Sequence, residues 1–115
     1  MKHNFRQLTI WKDAVALAKE IYTLTQQLPK EHKYGISSQM FRAAVSISSN
    51  ISEGSSRNSQ KEFSYFLRTS IGSAFELETQ LIITKECNIS PDVDIDRLIA
   101  KTQSIQRQID LSPTM

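Results

Sequence analysis

Large apolar side chains recur every three or four positions in four stretches of the chain, and polar or turn-forming residues separate the stretches. In the first, Leu8, Trp11, Val15, Ile21, Tyr22 and Leu28, with Ala14 and Ala18 between them, follow the stripe of a helix. Lys12, Asp13, Lys19, Glu20, Gln26 and Gln27 fall mostly off that stripe. The spacing predicts a helix over residues 6–28. Pro29 ends it, because its ring cannot continue a helix and it biases Leu28 away from helical geometry. The run Lys30, Glu31, His32, Lys33, Tyr34, Gly35 is polar, closes on glycine and reads as a loop. A second helix is expected from Ser37 or Ser38 to residue 53, with Met40, Ala43, Ala44, Ile47 and Ile51 on one face and Gly54 as its stop. Serine and β-branched residues are only fair helix formers, so this element must draw most of its stability from packing.

Residues 54–58, Gly-Ser-Ser-Arg-Asn, are the tightest turn signal in the chain. Ser59 with Glu62 three positions on reads as a capping box, in which each side chain bonds the other's backbone amide. The third helix is expected over residues 60–87, on the spacing of Phe63, Phe66, Leu67, Ile71, Ala74, Phe75, Leu77, Leu81 and Ile82. The link 88–92 opens a fourth, with Ser90 or Asp92 as its cap and Asp94 and Asp96 near the positive end of its dipole. Ile95, Leu98, Ile99, Thr102, Ile105 and Ile109 form its stripe, and residues 112–115 read as a frayed tail. Four helices with short joins predict an all-α, antiparallel up-down-up-down four-helix bundle, one domain over residues 1–115.

Composition supports that class. The chain has 115 residues, enough for one ordinary domain. Three glycines and three prolines are too few for the turns of a β-sandwich or barrel. The single cysteine, Cys87, excludes an internal disulfide and fits a reducing cytosol. The longest uncharged run, residues 43–52, holds four serines and an asparagine. That is far from the ~18–20 apolar residues of a membrane span. Arg6, Lys12, Asp13 and Lys19 interrupt the start, so no signal peptide is expected and the compartment expected is the cytoplasm.

Catalysis finds little footing. No glutamate has a histidine three positions on, as a di-iron bundle would need. His3 lies at the start and His32 in a loop, so both read as structural or solvated. Cys87 is read as a buried, inert helix-end thiol. Three cysteines and histidines in all cannot make an ordinary four-ligand zinc site, and residues 54–57 lack the lysine and spacing of a phosphate loop. Glu76 and Glu78 are two apart and face different sides of a helix. The expectation is no enzyme, no cofactor and no metal.

Polar patterning says more. Folding helices two and three back through the turn at Arg57 is expected to bring Arg42 near Gly72 and Ser73, with Glu76 a turn away. Ser46, Ser49, Asn50 and Glu53 continue that line toward the turn. Two readings stay open. One is a hydrogen-bonded seam that fixes helix register, with an Arg42–Glu76 pair. The other is an exposed strip for subunit contact or a ligand. Basic residues are 14 against 12 acidic, a net +2. Arg57 in the turn, Lys61 and Arg68 on helix three, Lys30 and Lys33 in the first loop, and Arg97, Lys101 and Arg107 on helix four scatter over a single copy. A ring of identical subunits would repeat each one, and phosphate contacts act cumulatively. Aromatic residues interleave poorly with these charges in sequence, so base stacking is not expected.

The stretch 43–57, read with Glu62-Phe63, the run 72–81, Trp11 and Tyr34-Gly35, resembles the bacterial four-helix-bundle family encoded by intervening sequences in 23S rRNA genes. The likeness covers about residues 5–110. It implies small cytoplasmic bundles assembled into rings, as pentamers. It also implies kinship with the accessory subunit of diversity-generating retroelements, which binds a reverse transcriptase and nucleic acid. No catalytic residues come with it. The motif positions it carries are Asn50, Glu53, Gly54, Arg57, Gly72, Ser73 and Glu76, as architecture or interface. The function expected is a non-enzymatic, homo-oligomeric accessory protein that touches RNA or DNA phosphates through Arg57, Lys61 and Arg68 with little sequence readout. The alternative is a protein-interaction scaffold that binds no nucleic acid.

Overall fold

Local rules set most helix ends. A computed structural model describes residues 3–89 and 94–111. They form α1 (Thr9–Gln27), α2 (Ile36–Ser55), α3 (Gln60–Glu86) and α4 (Ile95–Asp110), with 3-10 turns at Phe5–Gln7 and Lys30–His32. The first of these turns replaces the opening residues of the helix expected from residue 6. Leu28 is extended ahead of Pro29, at φ −78° and ψ 153°. Ser59 caps α3: its Oγ accepts the Glu62 amide proton at 3.1 Å, and the hydroxyl donates to Glu62 Oε1 at 3.3 Å. Asp94 caps α4 by accepting the Arg97 amide proton at 3.3 Å. The caps expected at Ser90 and Asp92, and the tail 112–115, lie outside the described residues.

Each helix runs antiparallel to its neighbours. His3, ahead of α1, meets Ser55 at the end of α2, and Gly54 of α2 meets Phe66 while Met40 meets Thr84 of α3. Lys85 at the end of α3 meets Asp96 at the start of α4, and Asp13 and Glu20 of α1 share a cleft with Gln108 and Lys101 of α4. Tyr22 of α1 stacks edge-on to Phe41 of α2, with ring centroids 5.6 Å apart. Ser46 and Ser73 join α2 to α3. Glu78 accepts from Gln103 and Gln106, tying α3 to α4, and Glu20 accepts from Arg97 and Lys101, closing α4 onto α1. The result is a rod of 44 × 22 × 20 Å. Its radius of gyration, 14.5 Å, exceeds the ~13 Å typical of a rounder domain of this length.

The core confirms the expected faces of α2 and α4. Met40, Ala43, Ala44, Ile47 and Ile51 are buried, as are Ile95, Leu98, Thr102, Ile105 and Ile109. In α1 the buried stripe is Ala14, Leu17, Ile21 and Leu24, while Val15 and Tyr22, which the apolar spacing assigns to the core, are exposed. Apolar residues spread over more than one face of this helix, and packing selects the face that adds Leu17 and Leu24 to Ala14 and Ile21. The same degeneracy affects α3, where Phe75 and Ile82 face outward. Cys87 is exposed rather than buried, since it follows the last turn of α3 where the chain leaves the core.

Candidate nucleic-acid interface

The turn between α2 and α3 is built on one close approach. Gly54 does not stop α2, which runs on through Ser55. A Cβ at position 54 would sit 2.7 Å from Phe66 Cβ and 2.9 Å from Phe63 Cδ1. Glycine is there because two aromatic residues of α3 lie on its backbone. The N-terminal segment packs on the same end: the His3 amide donates to the Ser55 carbonyl at 2.9 Å, and the His3 ring stacks on Phe63 at 4.8 Å. Arg57 folds back over this cluster. Its Nη2 donates to Glu53 Oε1 at 3.0 Å, and its guanidinium carbon lies 4.8 Å from the centre of the Phe66 ring. The charge of Arg57 is therefore largely committed to the turn.

Lys61 and Arg68 differ from Arg57. Both are exposed, and neither forms an ion pair among the described residues. Seven residues apart on α3, they share one face about two turns, or ~10 Å, apart. At ~100° per residue that face is nearly opposite the side from which Phe66 supports Arg57. The structure thus brings two of the three expected phosphate ligands together and holds the third aside. The basic residues of α4 are also partly spent. Arg97 Nη1 and Lys101 Nζ donate to the two oxygens of Glu20 at 2.6 and 2.8 Å. Burial works to raise the Glu20 carboxyl, but these two cations outweigh it and hold its pKa below the ordinary value.

The polar seam exists and joins α2 to α3. Ser46 Oγ and Ser73 Oγ lie 2.8 Å apart, and Asn50 Nδ2 donates to the Ser46 carbonyl and hydroxyl at 2.8 and 3.0 Å. Ser70 Oγ donates to the Ile47 carbonyl at 2.8 Å. The register differs from expectation by about one turn: Ser46, not Arg42, stands opposite Ser73. The seating of Gly54 against Phe63 and Phe66 follows the same offset. Arg42 and Glu76 line one cleft of about 260 Å³ with Gln39, Ala43 and Ser46, yet they form no ion pair among the described residues. Gly72 is exposed, and a Cβ there would meet nothing within 4 Å. Glu53 holds Arg57 rather than extending the seam. Among the described residues, no three His, Cys, Asp or Glu side chains gather as a metal site would require, and no helix is long and apolar enough to cross a membrane.

Sequence spacing alone misses two features. Gly54 reads as a helix stop because glycine so often is one. Tyr22, Tyr34 and Phe41 are far apart in sequence, but the α1–α2 hairpin brings them to one recess with Lys33.

Comparison with known proteins identifies relatives of this fold. No curated protein matches the chain significantly. A solved structure with a TM-score of 0.81 and 20% identity covers 88% of this chain and 94% of its own. It is a Bacteroides thetaiotaomicron protein described as having unknown function and coming from the S23 ribosomal protein family. At that identity the likeness concerns the fold. The family described as 23S rRNA-intervening sequence protein matches residues 6–110, nearly the full length. On that match, the chain belongs to the 23S rRNA-intervening sequence protein family.

Proposed function

We propose that this protein is a non-enzymatic, homo-oligomeric accessory protein that binds structured RNA through phosphate contacts, in a reducing compartment where Cys87 stays a free thiol. The observation that carries the reading is the pair Lys61 and Arg68, exposed on one face of α3 and outside every ion pair among the described residues. Point contacts from such cations fix a nucleic-acid backbone without reading sequence. Two per subunit are weak alone, and assembly into a ring multiplies them.

A mobility-shift assay with structured RNA tests this. Binding near ~50 mM salt should fall steeply as salt rises. The double variant Lys61→Glu/Arg68→Glu should lose most of that affinity while keeping its melting temperature. Absence of binding at low salt, or unchanged affinity in the double variant, defeats the proposal. Light scattering checks assembly, and a monomer at high concentration removes the multiplication on which it depends.

A second reading, a protein-interaction scaffold, draws on the same helix. Tyr65, Phe75, Ile82 and Ile83 of α3 are between 41 and 64% exposed. RNA-free protein that assembles through this surface and ignores RNA would favour the scaffold.

A further inference from the structure

Where α1 ends and α2 begins, the chain builds a recess of about 250 Å³. Three aromatic rings line it: Tyr34 is 89% exposed, Tyr22 52% and Phe41 36%. Aromatic rings gathered on an open surface are the mark of a binding site rather than of a packed core. Lys33 also lines the recess, its Nζ 5.4 Å from the centre of the Tyr34 ring. Ser37 and Ser38 belong to the first turn of α2 and form another part of the wall. Gly35 precedes that turn and offers no side-chain cap. The amides of residues 36–38 therefore have no partner within the helix and carry the positive end of a 20-residue dipole. Ser37 adds an independent sign. It is only 5% exposed, and its hydroxyl has no hydrogen-bond partner among the described residues. A buried hydroxyl left unmatched in the free protein is suited to a ligand that supplies the missing atom.

Aromatic rings, a cation, uncapped helix amides and an unmatched hydroxyl around one recess define a ligand that is aromatic at one end and anionic at the other. We propose that this recess binds a nucleotide, with the base against Tyr34 and Phe41 and the phosphate at Lys33 and the start of α2. A simple anion leaves the rings uncovered, and a neutral aromatic leaves the amides and Lys33 unanswered. The site lies at the opposite end of α2 from Arg57, ~30 Å away. It goes beyond the phosphate-binding face of α3 and stands whether or not that face binds RNA.

Calorimetry and tyrosine ring resonances, read on the full chain, test the site. The probes are AMP, GMP, CMP and UMP, against adenosine, ribose 5-phosphate and inorganic phosphate. At least one nucleotide should bind saturably and shift the Tyr22 and Tyr34 resonances, and each fragment should bind more weakly. Tyr34→Ala and Lys33→Glu, both at exposed positions, should each weaken binding about tenfold. Ser37→Ala should weaken it while leaving the melting temperature of the free protein unchanged or higher, because an unmatched hydroxyl is gone. Lys61→Glu/Arg68→Glu should leave nucleotide binding intact, which separates failure of the RNA reading from failure of this one. A five-nucleotide adenosine strand gives a further arm. Tighter binding than AMP assigns the recess to an unpaired nucleotide of a strand, equal binding assigns it to a free nucleotide, and both support the site. The proposal is overturned if no nucleotide saturates, if ribose 5-phosphate matches AMP, if Tyr34→Ala changes nothing, or if a second copy of the chain buries Tyr34 and Phe41 in solution.

Discussion

Two glycines of opposite meaning show how a residue's role depends on what surrounds it. Gly54 lies under Phe63 and Phe66, with no room for a Cβ. Gly72 lies in open space on a helix surface. Gly54→Ala should destabilise the bundle by about 1–3 kcal/mol, because the clash is with a Cβ that cannot swing away. Gly72→Ala should stabilise it by about 0.5–1 kcal/mol, the ordinary gain of alanine over glycine in an exposed helix. Urea unfolding of the two variants at a concentration where the protein is monomeric decides the matter, and equal signs would refute the contrast. If Gly72→Ala also weakens assembly, another chain approaches α3 at that point. Sequence alone reads Gly54 as a helix stop and Gly72 as a position within a helix, and gives no sign that either is packed against another element. The contact made by Gly54, across the turn to α3, decides which of them has no room for a side chain.

Among the elements, α2 and α4 were legible and α1 and α3 only partly so. The apolar residues of α2 and α4 occupy one face each, so the period also names the core. The 27 residues of α3 carry apolar side chains around most of the helix, and its own sequence cannot choose among them. Helix ends are more local. Ser59 accepts the Glu62 amide across a single turn, and no tertiary contact is needed to place it. Ser59→Ala should therefore cost about 1 kcal/mol of stability, the usual worth of such a cap. A loss well below that in urea titration would mean that packing against Phe63, not the cap, starts α3. Ser46 and Ser70 follow the opposite logic. The Ser46 hydroxyl meets Ser73 of α3, and the Ser70 hydroxyl of α3 donates to the Ile47 carbonyl of α2, partners that local sequence does not reveal.

Across the whole molecule, the α1–α4 seam is the open side of the bundle. Clefts of about 200 and 450 Å³ lie along it, and Glu20 lines both. Arg97 and Lys101 reach across to that carboxylate. The folded pKa of Glu20 is lowered, so its stabilising effect is full above the ordinary glutamate range and fades as pH falls through the lowered value. Stability should decline on acidification from about pH 5 downward, and Glu20→Gln should remove part of that slope while costing a little at neutral pH. An acid limb unchanged by Glu20→Gln would refute the role of the clamp. Native-state hydrogen exchange should find α4 opening before α2 and α3, and more readily in high salt, which screens exposed ion pairs. Read alone, the sequence determines four helices, the Ser59 cap of α3, the end of α1 before Pro29, the core faces of α2 and α4, and membership of the 23S rRNA-intervening sequence protein family, because periodicity, capping and motif are carried by neighbouring residues. Tertiary structure alone decided the Ser46–Ser73 register, which stripe of α1 and α3 is buried, which cations Glu20 neutralises, and the gathering of Tyr22, Tyr34 and Phe41 around Lys33. Each of these depends on how separate helices fit side by side, and a helix with apolar residues on several faces can fit in more than one way.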